Sequence, residues 1–79
     1  MSKEIVRIKD GEIYITLNVL LKLTNIISTG GEAKYYLANN EVYVNDILEN
    51  RRGRKLYKGD VVKVEGKVFE IDQWWLLRN

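Results

Sequence analysis

The spacing of apolar positions along this chain switches between a period of two and one of about 3.6, and each switch marks a change of element. Ile5 and Ile8 sit among polar neighbours, Lys9-Asp10-Gly11-Glu12 supplies a turn, and Ile13 and Ile15 resume the alternation. An Asp-Gly step suits the positive backbone dihedrals of a tight reversal, so the pattern predicts an N-terminal β-hairpin over residues 4–15. Leu17, Leu20, Leu21 and Thr24 then recur at helical spacing, with Val19 and Leu23 widening the stripe and Thr16 placed to cap the first turn. Lys22 lies off that stripe, and Ile26 and Ile27 carry the apolar surface into the connection. Thr29 followed by Glu32 has the spacing of a capping box and starts a second helix. That helix runs through Ala33, Tyr36 and Leu37 and stops near Asn39-Asn40, since asparagine tolerates the left-handed conformation that often closes a helix.

The period then falls to two. Val42 and Val44 alternate with Glu41 and Tyr43, Asn45-Asp46 turns the chain, and Ile47-Leu48 follows. After a basic stretch, Lys58-Gly59-Asp60 makes a turn, residues 61–65 form a β-branched strand, Gly66-Lys67 reverses, and residues 68–71 return. These elements predict an α+β fold in which two antiparallel helices pack on a small antiparallel β-sheet, with the N-terminal hairpin adding strands.

Length and composition narrow the chemistry. A chain of 79 residues suits one small domain, with a core motif over residues 16–71, the hairpin over 4–15 and a tail over 73–79. It contains no cysteine and no histidine, which removes disulfides, thiolate zinc sites, a cysteine nucleophile and an imidazole base. The eleven carboxylates show no metal-binding or acid/base spacing, and no phosphate-loop motif is present. No metal, no cofactor and no catalytic residue are expected. The longest apolar run, Trp74-Trp75-Leu76-Leu77, falls far short of the roughly 20 residues that span a bilayer, and the first residues are charged rather than signal-like. A cytoplasmic protein without a membrane partner is therefore expected. The Trp74, Trp75, Leu76 and Leu77 cluster must bury itself, against this chain's own core or against a protein partner or second copy.

Charge changes the picture through its distribution. The net charge of +2 is modest, but five of the 13 basic residues (Arg51, Arg52, Arg54, Lys55 and Lys58) fall within eight consecutive positions free of acid. Clustered cations hold a polyanion by displacing its condensed counterions, and guanidinium forks grip phosphate oxygens in pairs. A solvated loop that merely aids solubility accounts for the same composition equally well. Gly53 would let the backbone fold closely enough for side chains on both sides to project together.

Three blocks give the chain a family resemblance. Thr29-Gly30-Gly31-Glu32-Ala33-Lys34, then Val42-Tyr43-Val44-Asn45, then Lys58-Gly59-Asp60-Val61-Val62 resemble the S4 domain, an RNA-binding module found in a small-subunit ribosomal protein, pseudouridine synthases, bacterial tyrosyl-tRNA synthetases and a ribosome-binding heat-shock protein. The Gly-Gly pair and the run from Asn50 to Leu56 look closest to the stand-alone bacterial YaaA-type S4-like proteins. Three positions depart from the usual pattern. Thr16-Leu17-Asn18 replaces an Arg-Leu-Asp triplet, Thr29-Gly30 replaces Ser-Arg, and Asn45-Asp46 replaces Asn-Gly.

The resemblance implies a non-catalytic protein that binds structured ribosomal RNA, in ribosome assembly or a ribosome-associated role. Arg51, Arg52, Arg54, Lys55 and Lys58 would contact phosphates, and Lys34 could reach the RNA backbone from the second helix. Of Tyr35, Tyr43 and Tyr57, the last is best placed to stack on an unpaired base, although most tyrosines in small domains are half-buried packing residues. Asn45 could hydrogen-bond RNA or simply form its turn. The rival readings are a protein-interaction adaptor using the Trp/Leu tail and a DNA-binding accessory protein.

Overall fold

A computed structural model describes residues 3–73 of the chain. Trp74, Trp75, Leu76 and Leu77, and with them the question of what they pack against, lie outside the described residues.

Both helices form where the apolar spacing lengthens. α1 (Leu17–Leu23) begins at Thr16, whose hydroxyl oxygen accepts the Val19 N–H at 3.3 Å, satisfying a donor that a helix start leaves open. It buries Leu17, Leu20 and Leu21. Leu23, expected on the same stripe, is 60% exposed, because the helix ends at that residue. Asn25 adopts φ 62, and the Asn25 and Ile26 N–H groups donate back to the Lys22 and Leu21 carbonyls. This left-handed closure redirects the chain and sends Ile27 into the core.

A 3-10 turn over Gly30–Glu32 leads into α2 (Ala33–Asn39). The Glu32 carboxylate accepts the Ser28 and Thr29 N–H groups at 2.7 and 2.8 Å, the glutamate half of the expected capping box. α2 buries Ala33 and Leu37. Its end is not the left-handed stop expected at Asn39-Asn40, since Asn40 is extended with φ −137. Instead the Asn39 and Asn40 carboxamides donate to the Tyr35 and Tyr36 carbonyls at 2.8 and 3.0 Å, occupying oxygens that a helix end leaves free. No helix among the described residues is long and apolar enough to cross a membrane.

Five strands make one sheet: β1 (Lys3–Ile8), β3 (Val42–Val44), β4 (Ile47–Leu48), β6 (Val61–Val64) and β7 (Lys67–Gln73), in the order β1-β7-β6-β3-β4. β2 (Ile15–Thr16) and β5 (Lys55–Leu56) pair separately as an antiparallel ribbon. The sheet is mixed rather than antiparallel, because β1 runs parallel to β7 through six register pairs from Lys3↔Val68 to Ile8↔Gln73. The expected hairpin over residues 4–15 is thereby corrected. Its turn exists, with Gly11 at φ 92 and the Glu12 N–H on the Lys9 carbonyl, but the chain leaving it does not fold back along β1. Ile15 and Thr16 pair with Leu56 and Lys55 instead. Alternation fixes which side chains face inward and leaves the neighbouring strand open, so Ile8 is buried equally well beside β7. Gln73, itself buried, secures the arrangement by donating from Nε2 to the Glu12 carbonyl at 2.8 Å.

The inner face of the sheet presents Val42, Val44, Val62, Val64, Phe69 and Ile71, which join Ile8 and the helix leucines in one apolar cluster. Each fully buried side chain of this size contributes roughly 1.5–3 kcal/mol. Two reversals have both central residues at positive φ, Asn45 and Asp46 at 52 and 69, Glu65 and Gly66 at 53 and 74, as tight hairpin turns require. The second lies one residue earlier than Gly66-Lys67.

Candidate nucleic-acid interface

The basic segment is organised around a carboxylate that composition does not single out. Glu49 follows the exposed pair Ile47-Leu48 and is only 6% exposed, its N–H bonded to the Val42 carbonyl of β3. One carboxylate oxygen accepts the Arg51 N–H at 3.0 Å and Nε at 2.9 Å. The other accepts Arg51 Nη2 at 3.2 Å and Arg54 Nη1 at 3.0 Å. These bonds, Arg51's foremost, hold the Glu49 carboxyl down to about 2, and the same pairing raises Arg51. Two of the expected phosphate-binding guanidiniums are thus shared with a single acid.

The loop backbone is fixed as firmly as its side chains. The Arg54 N–H closes a turn onto the Arg51 carbonyl at 3.1 Å, and the Arg52 and Arg54 carbonyls accept the Asn18 and Leu17 N–H groups at 2.9 and 2.8 Å. The first two N–H groups of α1 are thus spent on holding this loop, while that of Val19 goes to the Thr16 cap. Gly53 is not what permits the turn: it lies outside the left-handed region, and a Cβ there would meet nothing within 4 Å.

Beyond Arg54 the chain enters the β2–β5 ribbon. Lys55 is exposed, with Nζ 4.9 Å from the Tyr14 ring centroid, and Tyr57 lies 5.9 Å from Tyr14 between centroids. Lys58 is exposed at the turn closed by Asp60 N–H on the Tyr57 carbonyl, where Gly59 has φ 95. Arg52 and Lys58 have no ion-pair partner among the described residues. Asn45 braces this turn. Its Nδ2 donates to Asp60 Oδ1 at 3.0 Å, and its Oδ1 accepts the Val61 N–H at 2.9 Å, so both ends of the amide are committed within the fold.

Lys34 stands apart from the loop, exposed in the first turn of α2. The link between the two runs through Gly30, next to the Asn18 side chain, and Asn18, whose N–H meets the Arg52 carbonyl. Tyr35 is 69% exposed on α2, and the Tyr43 hydroxyl donates to Glu41 at 2.9 Å. Five cations against one glutamate leave residues 49–58 at +4, on a loop whose shape is set before any ligand arrives. Sequence reasoning missed Glu49 and Tyr14. An acid two positions ahead of an Arg-Arg pair, and an aromatic one position before a buried strand residue, were the available signals.

Comparison with known proteins adds to this geometry. The family model described as the S4 domain matches residues 6–72. The chain belongs to the S4 domain family. A Bacillus subtilis (strain 168) protein named as a probable ribosome maturation protein, RlbA, is 60% identical over 52 residues, covering 66% of this chain and 73% of that one. In this S4 domain two of the departures from the usual pattern meet in space. A Cβ on Gly30 would lie 3.3 Å from Asn18 Nδ2, so an arginine at position 30 would force the Asn18 side chain to give way. Gly30 is thus explained by packing against α1, and Glu32 by its bonds to Ser28 and Thr29.

Proposed function

We propose that this chain is a cytoplasmic, non-catalytic RNA-binding protein that holds structured ribosomal RNA during ribosome maturation. The observation that carries the reading is the glutamate-anchored loop: a segment of net charge +4 whose backbone is tied to α1 and two of whose arginines, Arg51 and Arg54, are held by Glu49. A loop ordered in advance spends little of its binding free energy on losing conformational freedom. Membership of the S4 family and the name of the Bacillus subtilis relative support the same partner.

In this reading Arg52, Lys55 and Lys58 make the principal phosphate contacts. Arg51 adds the guanidinium surface that Glu49 leaves open, its side chain being 71% exposed, and Arg54 contributes less because it is mostly covered. Lys34 extends the basic track from α2, and Asn45 acts by holding the Lys58 turn. Phosphate contacts supply affinity, and the shape of the folded RNA supplies most of the discrimination. The test is competition. Protein bound to a labelled ribosomal RNA fragment should be displaced by unlabelled ribosomal RNA at least tenfold more readily than by duplex DNA of equal length. Equal displacement by the two would refute an RNA-specific role.

A further inference from the structure

We propose that Tyr14, Tyr57 and Lys55 form a stacking site for one unpaired nucleobase at the edge of the basic loop. The inference rests on the RNA-binding reading and specifies its ligand: a paired RNA element with an unstacked nucleotide beside it.

Strand register brings the three side chains together. In the β2–β5 ribbon Ile15 opposes Leu56 and Thr16 opposes Lys55. Continuing that antiparallel register by one step sets Tyr14 opposite Tyr57. Ile15 and Leu56 are buried in the core, and side chains alternate along a strand, so Tyr14, Tyr57 and Lys55 share the opposite, outward face. The core cluster includes Ile15 and Leu56 but neither tyrosine. Both rings therefore lie outside the core and keep part of their surface open, 37% and 45% exposed.

Their arrangement suits a flat, electron-rich ligand. The rings are tilted by 54° at 5.9 Å, so each braces the other and neither must be ordered on binding. Lys55 Nζ lies over one face of the Tyr14 ring, 4.9 Å from its centroid, so a cation–π contact holds the lysine at the aromatic surface. There the phosphate of a nucleotide stacked on the ring surface left open can pair with it. Lys58 follows one residue beyond Tyr57. An open surface hollow adjoins Tyr14 on the side of Glu12, Ile13 and Val19. Exposed aromatic rings interleaved with cations are the means by which unpaired bases are held without reading their sequence.

The test uses two hairpin RNAs with the same stem, one blunt and one carrying a single-stranded 3′ overhang with 2-aminopurine as its first base. Wild-type protein should bind the overhang hairpin more tightly and quench its 2-aminopurine fluorescence. Tyr14→Leu and Tyr57→Leu should each remove the quenching and weaken overhang binding roughly five- to hundredfold. Both should leave blunt-hairpin affinity unchanged, while Tyr14→Phe and Tyr57→Phe retain the wild-type preference. Wild-type protein that binds both hairpins equally overturns the stacking site without recourse to any variant. So do leucine variants that keep the quenching. In either case salt-sensitive binding of the blunt hairpin preserves the RNA reading, whereas failure to bind both hairpins sinks the two together.

Discussion

Glu49→Gln is the substitution that most sharply examines how the basic loop is held. It keeps the side chain's shape and removes the charge shared by Arg51 and Arg54. Moving the carboxyl from its ordinary 4.5 to about 2 corresponds to roughly 3 kcal/mol at about 1.4 kcal/mol per pKa step. Water screens the pair on its outer side, where the Arg51 side chain is 71% exposed, which lowers the expected loss to about 1–2 kcal/mol. The glutamine still accepts through one oxygen, but its amide nitrogen faces a guanidinium that can only donate.

The pH dependence follows from the direction of the shift. A carboxyl depressed in the folded state stabilises fully above the unfolded value near 4.5 and ceases to do so as the pH falls toward 2. Urea unfolding followed by circular dichroism should therefore show wild type more stable than Glu49→Gln by about 1–2 kcal/mol at pH 7. The two curves should converge between pH 4.5 and about 2. Equal stability at pH 7, or curves that fall in parallel through the acid range, would show that the carboxylate does not clamp the loop.

Other substitutions test the neighbouring parts of the account. Asn45→Ala removes both side-chain bonds to the Asp60–Val61 segment and should cost roughly 1–2 kcal/mol in urea unfolding. An unchanged midpoint combined with weakened RNA binding would instead make Asn45 a direct contact. Gly59→Ala meets no neighbour within 4 Å, so its cost reports the strain of φ 95 alone; a loss of roughly 1 kcal/mol is expected, and none would mean the turn relaxes freely. Thr16→Ala should lower stability by about 1 kcal/mol through the lost cap on Val19, a loss that Thr16→Ser should largely restore.

What the sequence made legible was local. The cap at Thr16, the Glu32 bond that starts the second helix, and the Asn45-Asp46 turn are each decided by residues within four positions of one another, and all three are present. Family membership was legible for the same reason, since the blocks that carry it are short and ordered. The parallel pairing of β1 with β7 was not, because strand alternation gives the inward face and never the partner, and the partner lies more than sixty residues along the chain. Asparagines misled in a related way. Asn25 takes the left-handed conformation expected of Asn39 or Asn40, whose carboxamides cap carbonyls instead. At the candidate site, counting cations singled out the loop and treated all five as equivalent. Only the burial of Glu49 separates Arg51 and Arg54, which share its carboxylate, from Arg52 and Lys58, which do not.

The central claim is that a preset loop of net charge +4 binds RNA through cations of unequal standing, and the salt dependence of affinity measures it directly. With four net charges engaged, log affinity should fall with log salt at a slope of roughly −3, and the double substitution of Arg52 and Lys58 by alanine should reduce that slope to roughly −1.4. A double variant whose slope matches wild type would contradict the account, because the charges gripping the RNA would then lie elsewhere on the molecule.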